Sequence, residues 1–424
     1  MLDIKFIREN LDLIKEGAKK KHVDIDLDVL IALDDKRRAL LQSVETKKAE
    51  QNKASDEVMR ASHPEIRLQL ITDLKVLKEQ IQKEEEELKG VMKGWQLLMV
   101  QVPNIPDMSV PEGDDDAGNV EVRTWGTLPS FDFEPKSHVD LALMHKMADF
   151  ERGTKVAGYR GYFLTGMGAR LNFALWNFVF DFVQKRDPRF VPLLVPSMVR
   201  REPFIGTGYL PQSEEDLYKT QDGDFLAGTS EVGAMAYYMD EVLDKKELPF
   251  KFLCFSPCFR REAGSHGKDT KGLMRVHEFY KFEQVVLCEA RHDESVKFHE
   301  ELTQNAEALL QALGIPYHVV VNCGGDLGLG QVKKYDIEAW VPSEKRYRET
   351  HSSSYFHDFQ TRRLNIRYRD EDGTMRFAHS LNNTAAATPR LLIPLIENNQ
   401  RADGSIAIPE VLRPYLGGMS EIVL

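Results

Sequence analysis

Four charged residues carry the most chemistry in this chain. Arg260, Glu262, Arg275 and Glu283 fall within one 25-residue stretch, FRREAGSHGKDTKGLMRVHEFYKFE, at 259–283. Apolar, strand-like runs (KFLCFSPCF before, FYKFEQVVL at the end) flank a polar middle. Gly264, Gly267 and Gly272 interrupt that middle, among Arg261, Lys268 and Lys271. The pattern reads strand, flexible loop, strand. A guanidinium fork matches phosphate and carboxylate oxygens two at a time. A basic loop between charged strand ends therefore suits a site that holds a polyanion and selects a small zwitterion.

The rest of the chain must position that hairpin. Its 424 residues are enough for two or three domains with a large core. The N-terminus, MLDIKFIREN, lacks the apolar run of a signal peptide, and no stretch is long and apolar enough to span a bilayer. Four cysteines, Cys254, Cys258, Cys288 and Cys323, are few for this length and suggest a reducing, cytoplasmic setting. Cys254 and Cys258 are four apart in a strand-like segment, so they read as buried thiols rather than zinc ligands.

A net charge of −11 opposes indiscriminate binding to nucleic acid. Fields are local, however, because salt screens beyond about 10 Å. From Asp35 to Arg60 seven Lys/Arg face five Asp/Glu, a surplus of two. This basic stretch belongs to a coiled-coil pattern running from Leu27 to Leu98. Leu70, Leu74, Leu77, Ile81, Leu88, Val91, Trp95 and Leu98 alternate spacings of four and three, broken only by Glu84. Leu30, Leu33, Leu40, Val44, Ala54 and Val58 follow the complementary spacing, with Arg37, Lys47 and Gln51 filling gaps. Pro64 separates the halves, which predicts an antiparallel hairpin of two helices about 45 Å long. The run Glu84–Glu87 reads as a solvated helix face, which would repel a nucleic acid if it lay in the contact.

The remainder gives coarser elements. VPNIPDMSVPEGDDDAGN predicts an extended, mobile linker. An amphipathic helix is expected over His138–Arg152 and a deeply buried one over Leu171–Val183. A strand should end at Pro196, followed by a loop through GTGYLP (206–211). The glycines of NCGGDLGLG (322–330) lack P-loop or Rossmann spacing and read as backbone geometry.

The stretch at 259–283 resembles motif 2 of class II aminoacyl-tRNA synthetases, in the seryl version: FRxEAG, a G-K-D-T-K-G-L loop, then H-x-F-x-K-x-E. Other matches follow in the family's order. The helix and strand ending at Pro196 resemble motif 1, and AGTSEV (227–232) resembles the T-x-E loop. YRETHSSSYFHDFQTRR (347–363) resembles the family's YREISSCSNxxDFQxRR. LNNTAAATPR (381–390) with LLIPLIENNQ (391–400) resembles motif 3 with substitutions. Asn383 stands in place of glycine, Thr384 of serine and Pro389 of glycine, while Asn382 and Arg390 are kept. Asparagine tolerates left-handed backbone, proline suits a first helical turn, and Pro394 should kink the helix or confine its regular part to the far side.

The resemblance implies an α+β fold. An antiparallel class II catalytic sheet flanked by helices (120–424) follows a coiled-coil tRNA-binding domain (1–101) and a linker (102–119). It implies serine activation by ATP with Mg²⁺, transfer to tRNA(Ser), with tRNA(Sec) left open as a second acceptor, and a homodimer. Its motif 1 forms much of the dimer interface. Arg260 would span the α-phosphate and the serine carboxylate. Glu262 would fix adenine between Phe279 and Arg390, and Arg275 would face the outer phosphates. Glu349 and Ser352 would hold Mg²⁺, and Arg261, Thr350 and His351 would join the ATP site. Thr229, Ser230, Glu231, Glu283, Asn382 and Thr384 would read serine. Lys36, Arg37, Arg38, Lys47, Lys48, Lys53 and Arg60 would contact RNA phosphates, and the loop Ser265–Lys271 the tRNA acceptor end. No general base is required, because a carboxylate is already the nucleophile at pH 7. Two rivals remain open: a class II-like ligase acting on a carrier protein, and a non-catalytic RNA-binding paralogue.

Overall fold

The computed structural model describes residues 1–264, 267 and 269–424. The expected acceptor-end loop, 265–271, therefore lies partly outside the described residues. The chain divides into two compact units, Leu2–Lys19 with Val23–Pro103, and Met1 with Lys20–His22 and Asn104–Leu424. No helix among the described residues is long and apolar enough to cross a membrane.

The first unit holds the hairpin. Its arm helices run Leu27–Arg60 and Pro64–Met99. Asp26 caps the first by accepting from the Val29 N–H at 2.9 Å, and Pro64 opens the second, where a missing N–H costs nothing. Leu30, Val44, Ile81 and Val91 are buried along the seam, as the heptads require. Glu84 also lies in the seam. It accepts from Ser43 Oγ at 2.9 Å and Lys47 Nζ at 2.5 Å, so the break in the apolar series is a cross-helix polar contact.

That contact corrects the expectation for Glu84. Glu85, Glu86 and Glu87 are exposed, as expected of a solvated face, with Glu85 paired to Lys48 and Glu87 to Lys36, each at 2.7 Å. Four expected RNA contacts, Lys36, Lys47, Lys48 and Arg37, thus have partners within the arm. Arg37 bonds Asp34 at 2.7 Å and stacks over Trp95 at 4.7 Å. Arg38, Lys53 and Arg60 are exposed, with no ion pair to any described residue.

The second unit is built on an eight-stranded sheet. In chain order its strands are β1 (Val120–Trp125), β2 (Phe190–Leu194), β3 (Phe250–Phe259), β4 (Glu278–Cys288), β5 (Tyr317–Val321), β6 (Lys333–Val341), β7 (Arg346–His357) and β8 (His379–Thr388). Their order in space is β1-β5-β6-β7-β8-β4-β3-β2, antiparallel except for β2 beside β3. The helices Gly166–Arg186 and His292–Ala312 supply Leu175, Val179, Phe298 and Leu302 to a core shared with Val286 and Ile337 of the sheet. All four cysteines are buried and unbridged. Desolvation raises the Cys254 thiol well above its ordinary range and raises the Cys258 thiol too, which keeps them inert.

Four local expectations change. The helix over His138–Arg152 splits into His138–Met144 and Phe150–Ala157, because Asp149 caps the second by accepting from Arg152 N–H at 2.8 Å. The loop after Pro196 contains a helix, Arg201–Thr207, with Pro203 in its first turn and Gly208 closing it at φ 92°. The helix around Leu171–Val183 is not buried all round, since Phe173 is 58% exposed. The linker is not loose from Asn104 onward. Asn104 Nδ2 donates to Gly330 O and Phe356 O at 3.0 and 2.7 Å, and Asp107 accepts from Tyr355 OH at 2.9 Å.

Candidate active site

Strand alternation puts Phe279, Lys281 and Glu283 on one face of β4. A bulge at Phe282/Glu283 sets Glu283 opposite Thr384 of β8. On the far side of β8, β7 carries Glu349, Thr350 and Ser352, and a register shift against β6 leaves Thr350 as the extra residue. These strands frame a cleft lined by Arg260, Glu262, Arg275, Phe279, Lys281, Glu349, Thr350, Ser352, Thr384 and Arg390. Leu273, Met274 and Val276 supply its apolar wall.

Arg260 leaves the end of β3 with its guanidinium 5.3 Å over the Phe279 ring and its Nε donating to Gly228 O at 3.2 Å. Arg390 donates from Nε to Met274 O at 3.1 Å and lies 3.6 Å from a Glu349 carboxylate oxygen. Burial pushes the Glu349 carboxyl up, but Arg390, Lys334 and Arg260 outweigh it and hold it below its usual range. Ser352 Oγ is 3.4 Å from Thr384 Oγ1. Glu262 and Arg275, expected at opposite ends of a nucleotide, are bonded to each other at 2.6 Å.

Lys281 links the cleft to a buried polar group. Its ammonium is 2.5 Å from Glu283 Oε2 and 3.4 Å from Thr229 Oγ1. Burial raises the Glu283 carboxyl to about 7 in spite of that ammonium. Glu231 is also raised by burial, and is held by Gln360 Nε2 at 2.6 Å and Tyr209 OH at 3.0 Å. Asn382 stands beside it, bonding the same carboxylate. Two carboxylates and a lysine in a nearly dry site make a receptor for a small molecule bearing both charges.

Relatives resolve the family. Residues 1–106 match the family model for the seryl-tRNA synthetase N-terminal domain, and 218–399 that for the tRNA synthetase class II core domain (G, H, P, S and T). The serine–tRNA ligase of Deinococcus radiodurans is 49% identical over 99% of this chain and 98% of its own length. The chain belongs to the seryl-tRNA synthetase family. The seryl-tRNA synthetase of Pyrococcus horikoshii, solved with ATP, superimposes with a TM-score of 0.90 at 38% identity, over 100% of this chain and 99% of that one. The cytoplasmic serine–tRNA ligase of Naegleria fowleri, solved with AMP, gives 0.86 at 36%, over 100% and 98%.

Against that family frame, three expected site residues turn away from the cleft. Arg261 is exposed, and its backbone N–H donates to Asp216 O at 2.9 Å. His351 is 1% exposed, on the side of β7 that faces the core, and burial lowers its imidazole to about 4. Ser230 Oγ is spent on Ser256 Oγ at 2.9 Å.

One motif 3 substitution also works differently than expected. Asn383 lies in β8 without positive φ, so tolerance of left-handed backbone is not its use. Its side chain accepts from Gln284 Nε2 at 2.6 Å and donates to Ser352 O at 3.1 Å, where β7 and β8 stop pairing. Pro394 is the third residue of the short helix Leu392–Asn398, in its first turn, so the regular part of that helix lies beyond it, as expected, and no helical bond is lost.

Sequence reasoning missed Lys281, Tyr209 and Gln360. Only Lys281 left a signal, the two-residue period shared with Phe279 and Glu283.

Proposed function

We propose that the chain is an ATP-dependent serine–tRNA ligase, making seryl-adenylate and passing serine to the 3′ end of tRNA(Ser). The observation that carries this reading is a cleft lined by Arg260, Arg390 and Lys281, with Lys281 linking it to the buried carboxylate Glu283 beside Thr229. Both reactants are anions, so the work is positioning and charge neutralisation. The serine carboxylate attacks the α-phosphorus, and the bond to the bridging oxygen breaks to release pyrophosphate. Arg260 spans the two reacting anions from beside the adenine platform, Phe279. ATP replaces the Glu262–Arg275 bond, Glu262 turning to adenine and Arg275 to the outer phosphates. Glu283 and Glu231 receive the ammonium, while Thr229, Asn382 and Thr384 surround the side chain. The terminal ribose hydroxyl of tRNA then attacks the adenylate carbonyl, expelling AMP.

Glu349 and Ser352 would hold Mg²⁺. An ionised carboxylate and a hydroxyl facing the phosphates fit a cation that keeps most of its ligands as phosphate oxygens and water, and that neutralises phosphate charge. A homodimer is supported by Phe173, Val191, Leu194 and Met198, which are 58, 53, 82 and 62% exposed along the long helix and the sheet edge at β2.

The test is serine-dependent ATP–pyrophosphate exchange. Without such exchange the assignment fails. Because Glu283 must be ionised to receive an ammonium, kcat/KM for serine should rise as pH rises through about 7, where its carboxyl titrates. Glu283→Gln should lower this ratio and flatten the rise. A profile already flat between pH 6 and pH 8 in the unsubstituted protein would remove Glu283 from that role.

A further inference from the structure

His138 starts a short helix, lies outside the cleft lining, and has no role in the reaction as described. It is 6% exposed and held on both sides of its ring. Nδ1 is 3.1 Å from Glu397 Oε1. Glu397 is fully buried and also accepts the backbone N–H groups of His138 and Ser343, at 2.7 and 3.0 Å. Nε2 faces the backbone N–H of Leu273 at 3.2 Å. These partners select one tautomer: Nδ1 carries the proton toward the carboxylate, and Nε2 accepts from Leu273.

Leu273 begins the segment 273–276 whose side chains wall the nucleotide cleft. Gly272, just before it, has φ 81°, and a Cβ there would sit 2.2 Å from His138 Nε2. The imidazole therefore occupies the space a side chain would need. Met274, just after, has its carbonyl held by Arg390 Nε at 3.1 Å. The segment 390–397 thus grips the cleft wall twice, directly through Arg390 and indirectly through Glu397 and His138.

We propose that His138, oriented by Glu397, is a positioning residue for ATP: it fixes the Leu273 amide and so sets the wall against which the nucleotide binds. This rests on the cleft being the ATP site. The groups assigned to serine, Thr229, Glu231 and Glu283, stand on other segments, so the effect should be confined to the nucleotide.

The two nitrogens can be tested separately. His138→Asn keeps an amide near the Nδ1 position, facing Glu397, and loses reach to Leu273. His138→Gln carries a carbonyl oxygen to the Nε2 position. In serine-dependent exchange, H138N should raise KM for ATP about tenfold, the equivalent of one buried hydrogen bond. Its KM for serine should stay within about twofold, and H138Q should recover most of the ATP loss. Equal KM for ATP in the two variants, or equal rises for ATP and serine, would overturn the proposal. Failure of the unsubstituted protein to exchange with serine would instead overturn the assigned function. If H138N does not fold, amide hydrogen exchange in the unsubstituted protein decides. The Leu273 amide should exchange at least about tenfold more slowly than those of Thr270 and Lys271, and equal rates would overturn the proposal.

Discussion

Replacing Arg260 by alanine should cut serine-dependent pyrophosphate exchange about 10³-fold, and lysine should recover little of it. Removing one preorganised donor from a developing anion costs roughly 10²–10³ in rate. In the proposed reading Arg260 carries more than one such contact, because it would lie where the two anions meet. Its geometry is fixed before substrate arrives, by Gly228 O at 3.2 Å and the Phe279 ring at 5.3 Å. Lysine has no planar fork to span a phosphate and a carboxylate together, nor a flat face to lie on Phe279. The loss should fall mainly on kcat, since charge redistribution at phosphorus is what the guanidinium meets. Exchange rates with saturating ATP and serine, beside a thermal midpoint for each variant, check this. A loss under about tenfold in a folded Arg260→Ala variant would move the anion-bridging role to Arg390.

How far the site could be read from sequence depended on what fixed each residue. Arg260, Phe279 and Glu283 were legible because a hairpin with two-residue alternation sets their relation locally. The seam of the arm was legible because heptad spacing is a local rule, and Leu30, Val44, Ile81 and Val91 follow it. Glu84 was misread for the same reason, since its partners Ser43 and Lys47 lie on the other arm helix. His351 was misread because the register shift between β6 and β7 changes which residues of β7 face the cleft. Asn383 gained a use that backbone propensity could not suggest, because its partner Gln284 sits about a hundred residues away on β4. Gln360 and Tyr209 converge on Glu231 from segments far apart in the chain, and no spacing announces them. Local periodicity thus gave the elements and the first layer of charge. Register between distant strands decided which residues support that layer.

Excising residues 41–87 and closing the arm with a short Gly/Ser turn should separate the two half-reactions. Exchange should stay within about twofold, because no residue of the cleft lies in the arm. Aminoacylation should fall about 10³-fold in kcat/KM, because contacts to several phosphates are lost together. The base of the hairpin, with the fully buried Leu30, is kept so that the unit can still fold. The ion pairs within the arm indicate which lysines would be open to RNA in the proposed reading. Lys47 is held by Glu84 at 2.5 Å and Lys48 by Glu85 at 2.7 Å, so neither is available without breaking a cross-helix bond. On the second arm helix, Arg67, Lys75, Lys78, Lys83, Lys89 and Lys93 are exposed and have no ion pair to any described residue. At 100° per residue all but Lys83 fall within a sector of about 80° on one side of that helix. Lys75→Ala combined with Lys78→Ala should weaken tRNA charging and reduce its salt dependence by about two in log–log slope. Lys47→Ala should lower the melting temperature of the arm and leave the slope alone. If Lys47→Ala changed the slope and the Lys75, Lys78 pair did not, the paired face would be the one that meets RNA. If excision slowed exchange as much as transfer, the arm would be serving the catalytic unit rather than the tRNA.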